Sequence, residues 1–504
     1  MTELAHATVL LVGAGTMGSG IAQVAAEAGH RVLLFDARQG AAAEARVGLA
    51  AIFDGLVAKG RLGRDTAGAA LARVVPIAAL AEGSSARLAI EAVVESLPVK
   101  RSLLVELEDL LDPDAVLATN TSSLSVTQLA QGLRRPGRLV GMHFFNPAPL
   151  MKLVEVVSGL HTAPEVAEAA FQLARAWGKV PVHARSTPGF VVNRIARSFY
   201  AEALALLQER AVQPHALDAC LRGAGFRMGP CELMDFIGHD VNLAVTQAIY
   251  EASFFDRRYA PSPVQRELVD GGLLGRKSRR GFYRYPEGPP PLPGEVPGGP
   301  PAPRAVVVHG AGRIAEELAA SAARAGGRAA RRRADSAWTG LEIDGRRLVL
   351  TDGRPAQQLG AHAGTEDVAV FDWPLQAPAG QALAFAVSDG ASGGWRALAP
   401  RWLSALGFLP VPLADAPGLV VARTVAMLVN EAADAVLQGV CTREAADLAM
   451  KLGVHYPAGP FEWLSAWEAP RVIGVLDALD AHYRGERYRV SPWLRRSRPP
   501  EVPG

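Results

Sequence analysis

Residues 7–36 constrain the fold more than any other segment. Residues 7–12 (ATVLLV) are a short apolar run, typical of a strand buried in a parallel sheet. The sequence GAGTMG follows at 13–18, a helix is predicted over about 17–28, and residues 31–35 (RVLLF) predict a second strand that ends on Asp36. This order of strand, glycines, helix and strand predicts a β-α-β unit of an open, doubly wound sheet.

Each part of this unit matches what a bound dinucleotide requires. Gly13 is predicted to make a tight turn, Gly15 to let the backbone approach a pyrophosphate, and Gly18 to let helix and strand pack closely. The free N–H groups at the helix N-terminus suit the diphosphate. Asp36 suits the two ribose hydroxyls of NAD and would repel the 2′-phosphate of NADP. We therefore predict an NAD site that contains Gly13, Gly15, Thr16, Met17, Gly18 and Asp36.

Length, charge and cysteine usage exclude several classes of protein. At 504 residues with 49% hydrophobic side chains, the chain can hold several domains with large cores. A net charge of +2 with scattered basic residues argues against nucleic-acid binding, and no apolar run reaches the ~18 residues of a membrane span. The three cysteines (Cys220, Cys231, Cys441) lack disulfide or metal spacing, and the N-terminus lacks a basic signal-peptide region. These features predict a cytoplasmic protein.

Polar residues follow several predicted strands. Residues 88–94 and 115–118 predict buried strands that run into Glu95 and into NTSS, which contains Asn120 and Ser122. Residues 140–156 (VGMHFFNPAPLMKLVEV) predict a strand that delivers His143 to its end, with Glu155 returning on the next element. Because the carboxyl ends of parallel strands line the ligand crevice, these residues are expected on one rim.

His143 and Glu155 have the layout of a general base. A buried carboxylate that is hydrogen-bonded to an imidazole fixes its tautomer and raises its basicity. If this histidine and glutamate stood in a sequence without other motifs, a core histidine and an unrelated surface glutamate would be the better interpretation. The nucleotide-binding motif upstream favours the interpretation of His143 and Glu155 as a catalytic pair.

The motifs together are recognisable. GAGTMG, VVES with Lys100, NTSSLS, HFFNP, MKLVEV and STPGFVVNR closely resemble the L-3-hydroxyacyl-CoA dehydrogenase family over about residues 5–285. That family oxidises a 3-hydroxyacyl-CoA to the 3-oxoacyl-CoA with NAD. The resemblance implies a Rossmann NAD-binding domain followed by an all-α domain. It also implies that His143 is the general base, that Glu155 is its partner, and that Ser122 and Asn193 contact the substrate oxygen.

The same resemblance implies further contacts to ligands. Lys59 becomes a candidate for the CoA phosphates, and Lys277 lies in a motif that departs from the family, because Arg279 stands where glycine is usual. The implied pathways are fatty-acid β-oxidation or phenylacetate-type catabolism, with 3-hydroxyadipyl-CoA or 3-hydroxybutyryl-CoA as substrate. The remaining cofactor contacts implied are Asp36, Glu95, Lys100, Asn120, Asn146 and Lys277.

The second half of the chain repeats the first. GAGRIA at 310–315 follows an apolar run, APGLVVAR at 416–423 corresponds to TPGFVVNR at 187–194, and AGPFE at 458–462 corresponds to MGPCE at 228–232. The predicted domains are a Rossmann domain (1–185), a helical domain (186–285), a Pro/Gly linker (286–303), a degenerate Rossmann-like segment (304–414) and a second helical domain (415–504). A tethered copy favours an intramolecular pseudo-dimer of the two helical modules, compatible with further association of whole chains.

The second copy has lost the catalytic motifs. Ala422 replaces Asn193, and neither HFFNP nor NTSS occurs between residues 312 and 417. Arginines at 328–335 stand where an apolar second strand is expected, and we interpret them as a solvated face and not as a clamp for CoA phosphates. One active site is therefore predicted. The alternatives are a dehydrogenase of a free 3-hydroxy acid and a non-catalytic nucleotide-binding protein on the same fold.

Overall fold

The computed structural model describes residues 4–292, 294, 305–325, 328–377 and 379–496. The chain divides into two compact units. The first unit comprises Met1–Arg194 and Ala435–Val454, and the second comprises Ile195–Asp434 and His455–Gly504. Among the described residues, no helix has the length and hydropathy needed to cross a membrane.

The first unit is built on an eight-stranded sheet in the order β3-β2-β1-β4-β5-β6-β7-β8. All neighbouring strands are parallel except β6 and β7, which are antiparallel. The elements are β1 Val9–Val12, α1 Thr16–Glu27, β2 Val32–Phe35, α2 Ala41–Ala58, α3 Arg64–Arg73, β3 Val74–Pro76, β4 Leu88–Glu91, α4 Leu97–Leu110, β5 Val116–Thr119, α5 Val126–Leu129, β6 Leu139–Phe144, β7 Leu153–Ser158, α6 Pro164–Ala176 and β8 Val180–Arg185.

The predicted strands of this unit are present, and the largest difference from the expected bounds is at the end of β4. Strand β4 ends at Glu91 and not at Val94, because the N–H of Val93 turns back to donate to the Glu91 carboxylate at 3.2 Å. Glu95 therefore lies in the loop after the strand. Residues 41–73 contain two helices, α2 and α3, with Gly60 between them in the left-handed conformation (φ +65°).

Two long helices begin at the two related sequences TPGFVVNR and APGLVVAR. They are α7 Val192–Gln208 and, much later in the chain, α15 Val421–Leu437. The other helices of the first module are α8 Pro214–Gly223, α9 Pro230–Ile237, α10 His239–Ala252 and α11 Pro263–Asp270.

A second, seven-stranded sheet lies in the second unit, in the order β10-β9-β11-β12-β13-β14-β15. Its elements are β9 Ala305–His309, α12 Gly312–Arg324, β10 Arg328–Arg333, β11 Gly340–Ile343, β12 Arg346–Leu350, α13 Ala356–Ala363, β13 Val368–Phe371, β14 Ala382–Val387, α14 Gly393–Ala405 and β15 Leu409–Pro412. After α15 come α16 Arg443–Gly453, α17 Pro460–Trp467, α18 Ala469–Tyr483 and α19 Pro492–Arg496. Helix α16 belongs to the first unit.

The predicted strand–glycine–helix start of the second sheet is confirmed by β9 and α12. The expectation that the arginine cluster takes the place of the second strand is wrong. Residues Arg328–Arg333 form strand β10, which pairs in parallel with β9. Strand pairing uses main-chain groups, and β10 is the edge strand of its sheet, a place where charged side chains are common. An arginine-rich sequence can therefore keep the strand.

Candidate active site

The glycine loop after β1 has the geometry that its sequence predicts. Gly13 is left-handed (φ +104°), and a Cβ there would lie 2.6 Å from the carbonyl oxygen of Ala92. A Cβ on Gly18 would lie 1.8 Å from the carbonyl oxygen of Gly13, so only glycine lets α1 approach the loop. At Gly15 a Cβ would meet no atom within 4 Å. The loop is thus packed tightly on its protein side and open at Gly15, where a pyrophosphate could approach.

The start of α1 fits an anion. Its N-cap is Gly15, with no side-chain cap, so the first amides (Thr16, Met17) are not covered by a capping side chain. The Asp36 carboxylate, at the end of β2, accepts a hydrogen bond from the N–H of Ala14 at 2.7 Å and one from the N–H of Arg38 at 2.9 Å. Asp36 therefore lies directly beside the loop, at the place where a ribose attached to the pyrophosphate would lie. Together these features fit NAD.

His143 and Glu155 face each other across two antiparallel strands, β6 and β7. The imidazole Nδ1 is 2.6 Å from Glu155 Oε2, and both side chains are buried. The second carboxylate oxygen, Oε1, accepts the N–H groups of Val191 at 3.0 Å and Val192 at 2.9 Å, where α7 begins. The imidazole ring also packs 4.4 Å from the ring of Phe145, measured between centroids. The carboxylate thus holds the histidine and caps a helix at once.

Glu95 organises the loop that follows β5. Its Oε1 accepts hydrogen bonds from the Thr121 hydroxyl at 2.6 Å, the Ser122 N–H at 3.0 Å and the Ser123 N–H at 3.1 Å. Burial acts to raise the pKa of Glu95, but the Thr121 hydrogen bond and the charge of Lys100 outweigh it and hold the pKa below its usual value. The carboxylate is therefore ionised at neutral pH and fixes the Ser122 backbone.

Two asparagines join this loop to its neighbours. Asn193 Nδ2 lies 3.5 Å from the carbonyl oxygen of Ser122, to which it donates. Asn120 Oδ1 accepts the N–H of Phe144 at 2.9 Å and so ties the end of β5 to the end of β6, beside His143. The predicted residues Glu95, Asn120, Ser122, His143, Glu155 and Asn193 are thereby linked through hydrogen bonds and adjacent strand ends.

Lys100 has a partner that the sequence reasoning missed. Its Nζ lies 2.9 and 2.8 Å from the two oxygens of Glu91 and 3.4 Å from Glu95, and its side chain is fully buried. Burial raises the pKa of Glu91, and the charge of Lys100 opposes that rise. A single acid inside the apolar run LAIEAVV, with a lysine nine residues later, was the signal for this pair. The first role of Lys100 is to neutralise a buried carboxylate, and through Glu95 it supports the Ser122 loop.

The remaining predicted contacts are less closely tied to the site. Lys59 is exposed at the C-terminus of α2, and Asn146 lies between β6 and β7, before Pro147. Lys277, in the second unit, forms an ion pair of 2.5 Å with Asp240. Arg279 has φ +60°, a left-handed conformation that favours glycine, which gives a physical reason for the glycine usual there in the family. The described residues contain no cluster of three His, Cys, Asp or Glu side chains that could hold a metal.

A doubly wound sheet with a nucleotide loop and a His–Glu pair at its strand ends defines a dinucleotide-dependent dehydrogenase. Family models agree: the 3-hydroxyacyl-CoA dehydrogenase NAD-binding domain matches residues 8–187, and the C-terminal domain of the same family matches 189–285 and again 418–499. The 3-hydroxybutyryl-CoA dehydrogenase reduced Rossmann-fold domain matches 348–417.

Similar proteins support the same assignment. The chain is 41% identical to the 3-hydroxyadipyl-CoA dehydrogenase of Escherichia coli over 97% of its length and 96% of that protein. It is 40% identical to the 3-hydroxybutyryl-CoA dehydrogenase of Clostridioides difficile over 55% of its length and 98% of that protein. A crystal structure of a 3-hydroxybutyryl-CoA dehydrogenase from Escherichia coli K12 superposes with a TM-score of 0.89, at 40% identity over 98% of both chains.

The chain therefore belongs to the 3-hydroxyacyl-CoA dehydrogenase family and is an NAD-dependent oxidoreductase. The predicted fold, a Rossmann domain and a helical domain followed by a second sheet and further helices, is confirmed.

Proposed function

We propose that His143 is the general base that removes the hydroxyl proton of an L-3-hydroxyacyl-CoA. The observation that carries this proposal is the 2.6 Å contact between its Nδ1 and Glu155, which leaves Nε2 to accept the proton. Glu155 stabilises the imidazolium that forms, as a buried carboxylate does in other histidine-based sites. When NAD is bound, its nicotinamide supplies the hydride acceptor.

Ser122 and Asn193 are proposed to hold the substrate oxygen as it becomes a carbonyl. Their 3.5 Å contact and the anchoring of the Ser122 N–H by Glu95 support this role. A fixed donor pair lowers the barrier because it needs no reorganisation during the reaction. Lys59 is proposed to contact the CoA phosphates, which its exposed position at the end of α2 permits.

The cofactor contacts are proposed at the glycine loop (Gly13, Gly15, Thr16, Met17, Gly18), at Asp36, and at Glu95, Lys100, Asn120, Asn146 and Lys277. NAD is expected to be used in preference to NADP because the Asp36 carboxylate would repel a 2′-phosphate. Arg38 is the residue that could offset this repulsion, but it is exposed and lies 3.5 Å from Glu44. Equal kcat/KM values with NAD and NADP would contradict the role given to Asp36.

For the acyl group we propose 3-hydroxyadipyl-CoA, with 3-hydroxybutyryl-CoA as the second candidate. The support is the 41% identity to a protein named for the adipyl substrate across nearly the whole of both chains. The butyryl ester is the second candidate because the crystal structure that superposes over 98% of both chains is named for that substrate. A place in phenylacetate-type catabolism and a cytoplasmic location follow from this proposal. The three cysteines, all free, suit that location.

One assay tests these assignments together. NADH formation is measured with the adipyl and butyryl CoA esters and with free 3-hydroxybutyrate. We expect the adipyl ester to give the highest kcat/KM and the free acid to give almost none. A preference of several orders of magnitude for long unbranched acyl-CoA would remove the adipyl proposal, and equal activity on the free acid would favour the alternative dehydrogenase.

We further propose that the two helical modules pair within one chain as a pseudo-dimer. The support is a reciprocal exchange of contacts in the second unit. Arg258 and Tyr259 of the first module donate to Glu431 of the second at 3.1 and 2.5 Å. Their counterparts Arg487 and Tyr488 donate to Glu202 at 2.8 and 3.1 Å. Such exchange between equivalent positions is the pattern of a two-fold interface.

A cleavable linker tests the pairing. A protease site inserted between residues 286 and 303 should leave the two halves associated after cleavage, so that they elute together from a sizing column. The same cut in a Glu202→Arg, Glu431→Arg variant should lower the affinity between the halves, measured by dilution, while the contact of α16 with β7 and β8 remains. Separation of the wild-type halves, or equal affinity in the variant, would contradict the proposal.

A further inference from the structure

One segment of the second helical copy belongs to the first unit. Residues Ala435–Val454 contain the end of α15, a short loop and all of α16. Helix α16 packs on strands β7 and β8. Strand β7 is the strand that carries Glu155. A part of the chain without catalytic motifs therefore packs on the strand that carries Glu155.

Gly453, the last residue of α16, lies close to this strand and to the start of α7. A Cβ there would lie 2.8 Å from Cδ2 of Leu153 and 3.0 Å from Cγ2 of Val192. Leu153 precedes Glu155 by two positions, so both side chains leave the same face of β7. Val192 supplies an N–H to Glu155 at 2.9 Å. The helix thus touches both the strand and the helix start that fix the carboxylate.

The loop before α16 holds the connection between β8 and α7. The carbonyl oxygen of Val440 accepts the N–H of Arg185, the last residue of β8, at 2.9 Å. The side chain of Gln438 accepts from Arg194, the neighbour of Asn193, at 2.9 Å. Residues 185 and 194 bracket the segment whose amides bind Glu155. Burial and then the charge of Glu155 raise the pKa of the Cys441 thiol, in the same loop, to about 12.

We infer that the second helical copy is a positioning element for the dehydrogenase reaction, with α16 and its preceding loop holding Glu155 and thereby orienting His143. This inference rests on the general-base role proposed for His143. It gives the second copy a part in turnover besides the pairing of the helical modules. Gly453 and Gln438 are the positioning residues.

The first helical copy offers a matched control. Its helix α8 packs on β14 of the second sheet as α16 packs on β7 of the first. A Cβ on Gly223, the last residue of α8, would lie 2.5 Å from the carbonyl oxygen of Ala382. Strand β14 (ALAFAV) contains neither histidine nor glutamate. The same substitution at Gly223 should therefore disturb packing without reaching a catalytic pair.

The test compares Gly453→Val with Gly223→Val in the full-length chain. For Gly453→Val we expect kcat to fall about 10²-fold, the scale for a displacement of ~1 Å, with KM for NAD unchanged. The pH profile of kcat should also change, because the hydrogen bond between His143 and Glu155 would be disturbed. Shortening the opposing side chain, in Gly453→Val with Leu153→Ala, should restore part of kcat. Gly223→Val should lower Tm and leave kcat and the pH profile as in wild type.

Two results would overturn the inference. One is a Gly453→Val enzyme with wild-type kcat and pH profile, and the other is an equal loss of kcat in Gly223→Val. If the valine variant does not fold, Gly453→Ala and Gln438→Ala are measured in the same way and should show smaller shifts of the same kind, and their absence would also overturn it. Full activity in His143→Gln would instead remove the proposed function on which the inference rests.

Discussion

The N-termini of α7 and α15 are each capped by a buried carboxylate, but the two carboxylates have different neighbours. Glu155 accepts the N–H groups of Val191 and Val192, and Asp372 accepts those of Val420, Val421 and Ala422. Both carboxylates are fully buried. Only Glu155 also contacts a histidine, at 2.6 Å. Both helix starts are capped by an acid from the neighbouring sheet, but only Glu155 belongs to the proposed catalytic pair.

The difference separates two roles that Glu155 combines. A buried helix N-terminus needs acceptors for its free N–H groups, whether or not catalysis occurs there. The second copy supplies such an acceptor from Asp372, at the end of β13, although it lacks counterparts of His143 and Asn193, so a helix cap of this kind can serve folding alone. In the first copy the other carboxylate oxygen is directed to His143. Variants of the two sites should therefore fail in different ways.

The largest expected effect is on turnover, from His143→Gln. Glutamine has no basic nitrogen, so the hydroxyl proton loses its acceptor and kcat should fall by about 10²–10⁴, the usual scale for loss of a general base. Tm should change little. Stopped-flow measurement of NADH formation at saturating substrate checks this, and wild-type turnover would place the base elsewhere.

The next effect is on stability, from Glu202→Gln. Glu202 is fully buried and accepts from the buried Arg423 at 2.9 Å and from the partly exposed Arg487 at 2.8 Å, so neutralising it leaves the Arg423 guanidinium buried without its carboxylate. The free energy of unfolding should fall by about 3–5 kcal/mol, measured by urea titration. Glu431→Gln should cost less, because Asp434 still pairs with Arg258.

The pH dependence of this loss has a definite sign. Burial acts to raise the pKa of Glu202, but Arg487 and Arg423 hold it below its usual value. A carboxylate whose pKa is lower in the folded than in the unfolded protein stabilises the fold. This contribution is complete above the unfolded-state pKa and is lost as the pH falls through the folded-state pKa. The stability difference between wild type and Glu202→Gln should thus be complete at pH 7 and shrink below about pH 4.5. A difference that grows on acidification would contradict the ion-pair explanation.

Much of the site could be predicted from local sequence, because its parts depend on residue types at fixed spacing. The glycine loop, Asp36 and the antiparallel pairing of His143 with Glu155 are of this kind. The partner of Lys100 and the packing of α16 on the strand that carries Glu155 could not be predicted so well. Glu91 is hidden inside an apolar strand, and the contact between Gly453 and Leu153 joins residues 300 positions apart in sequence. Such contacts depend on the packing of whole domains, which one sequence does not specify.

The arginine-rich strand β10 is an element that the hydropathy pattern did not predict. Side-chain hydropathy argued against a strand at residues 328–333, yet the backbone pairs with β9. At a sheet edge the main-chain hydrogen bonds decide the conformation, and a pattern based on burial has no information about them.

A smaller effect distinguishes the roles of Glu155 and Asp372 directly, through the variants Glu155→Gln and Asp372→Asn. In Glu155→Gln the amide oxygen can still accept from Val191 and Val192, but the amide NH₂ would face His143 Nδ1 and favour the tautomer that carries its proton on Nε2. We expect kcat to fall by less than in His143→Gln, with Tm nearly unchanged, and the double variant to be little worse than His143→Gln alone. Asp372→Asn should do the reverse and lower Tm without changing kcat. A fall in kcat for Asp372→Asn would break the comparison.

The smallest expected effect concerns the two glycine loops. At Gly15 a Cβ meets no protein atom, so Gly15→Ala should fold normally, yet its methyl group would occupy the space through which a pyrophosphate approaches. We expect KM for NAD to rise about tenfold, which corresponds to ~1.4 kcal/mol of lost binding. Gly312, in the loop of the second sheet, is also open but left-handed (φ +79°), so Gly312→Ala should cost about 1 kcal/mol of stability and leave KM for NAD unchanged. Initial rates over a range of NAD concentrations, with thermal unfolding of both variants, decide the matter. A rise in KM for Gly312→Ala would mean that the second loop still takes part in binding the cofactor, and an unchanged KM for Gly15→Ala would remove the first loop from it.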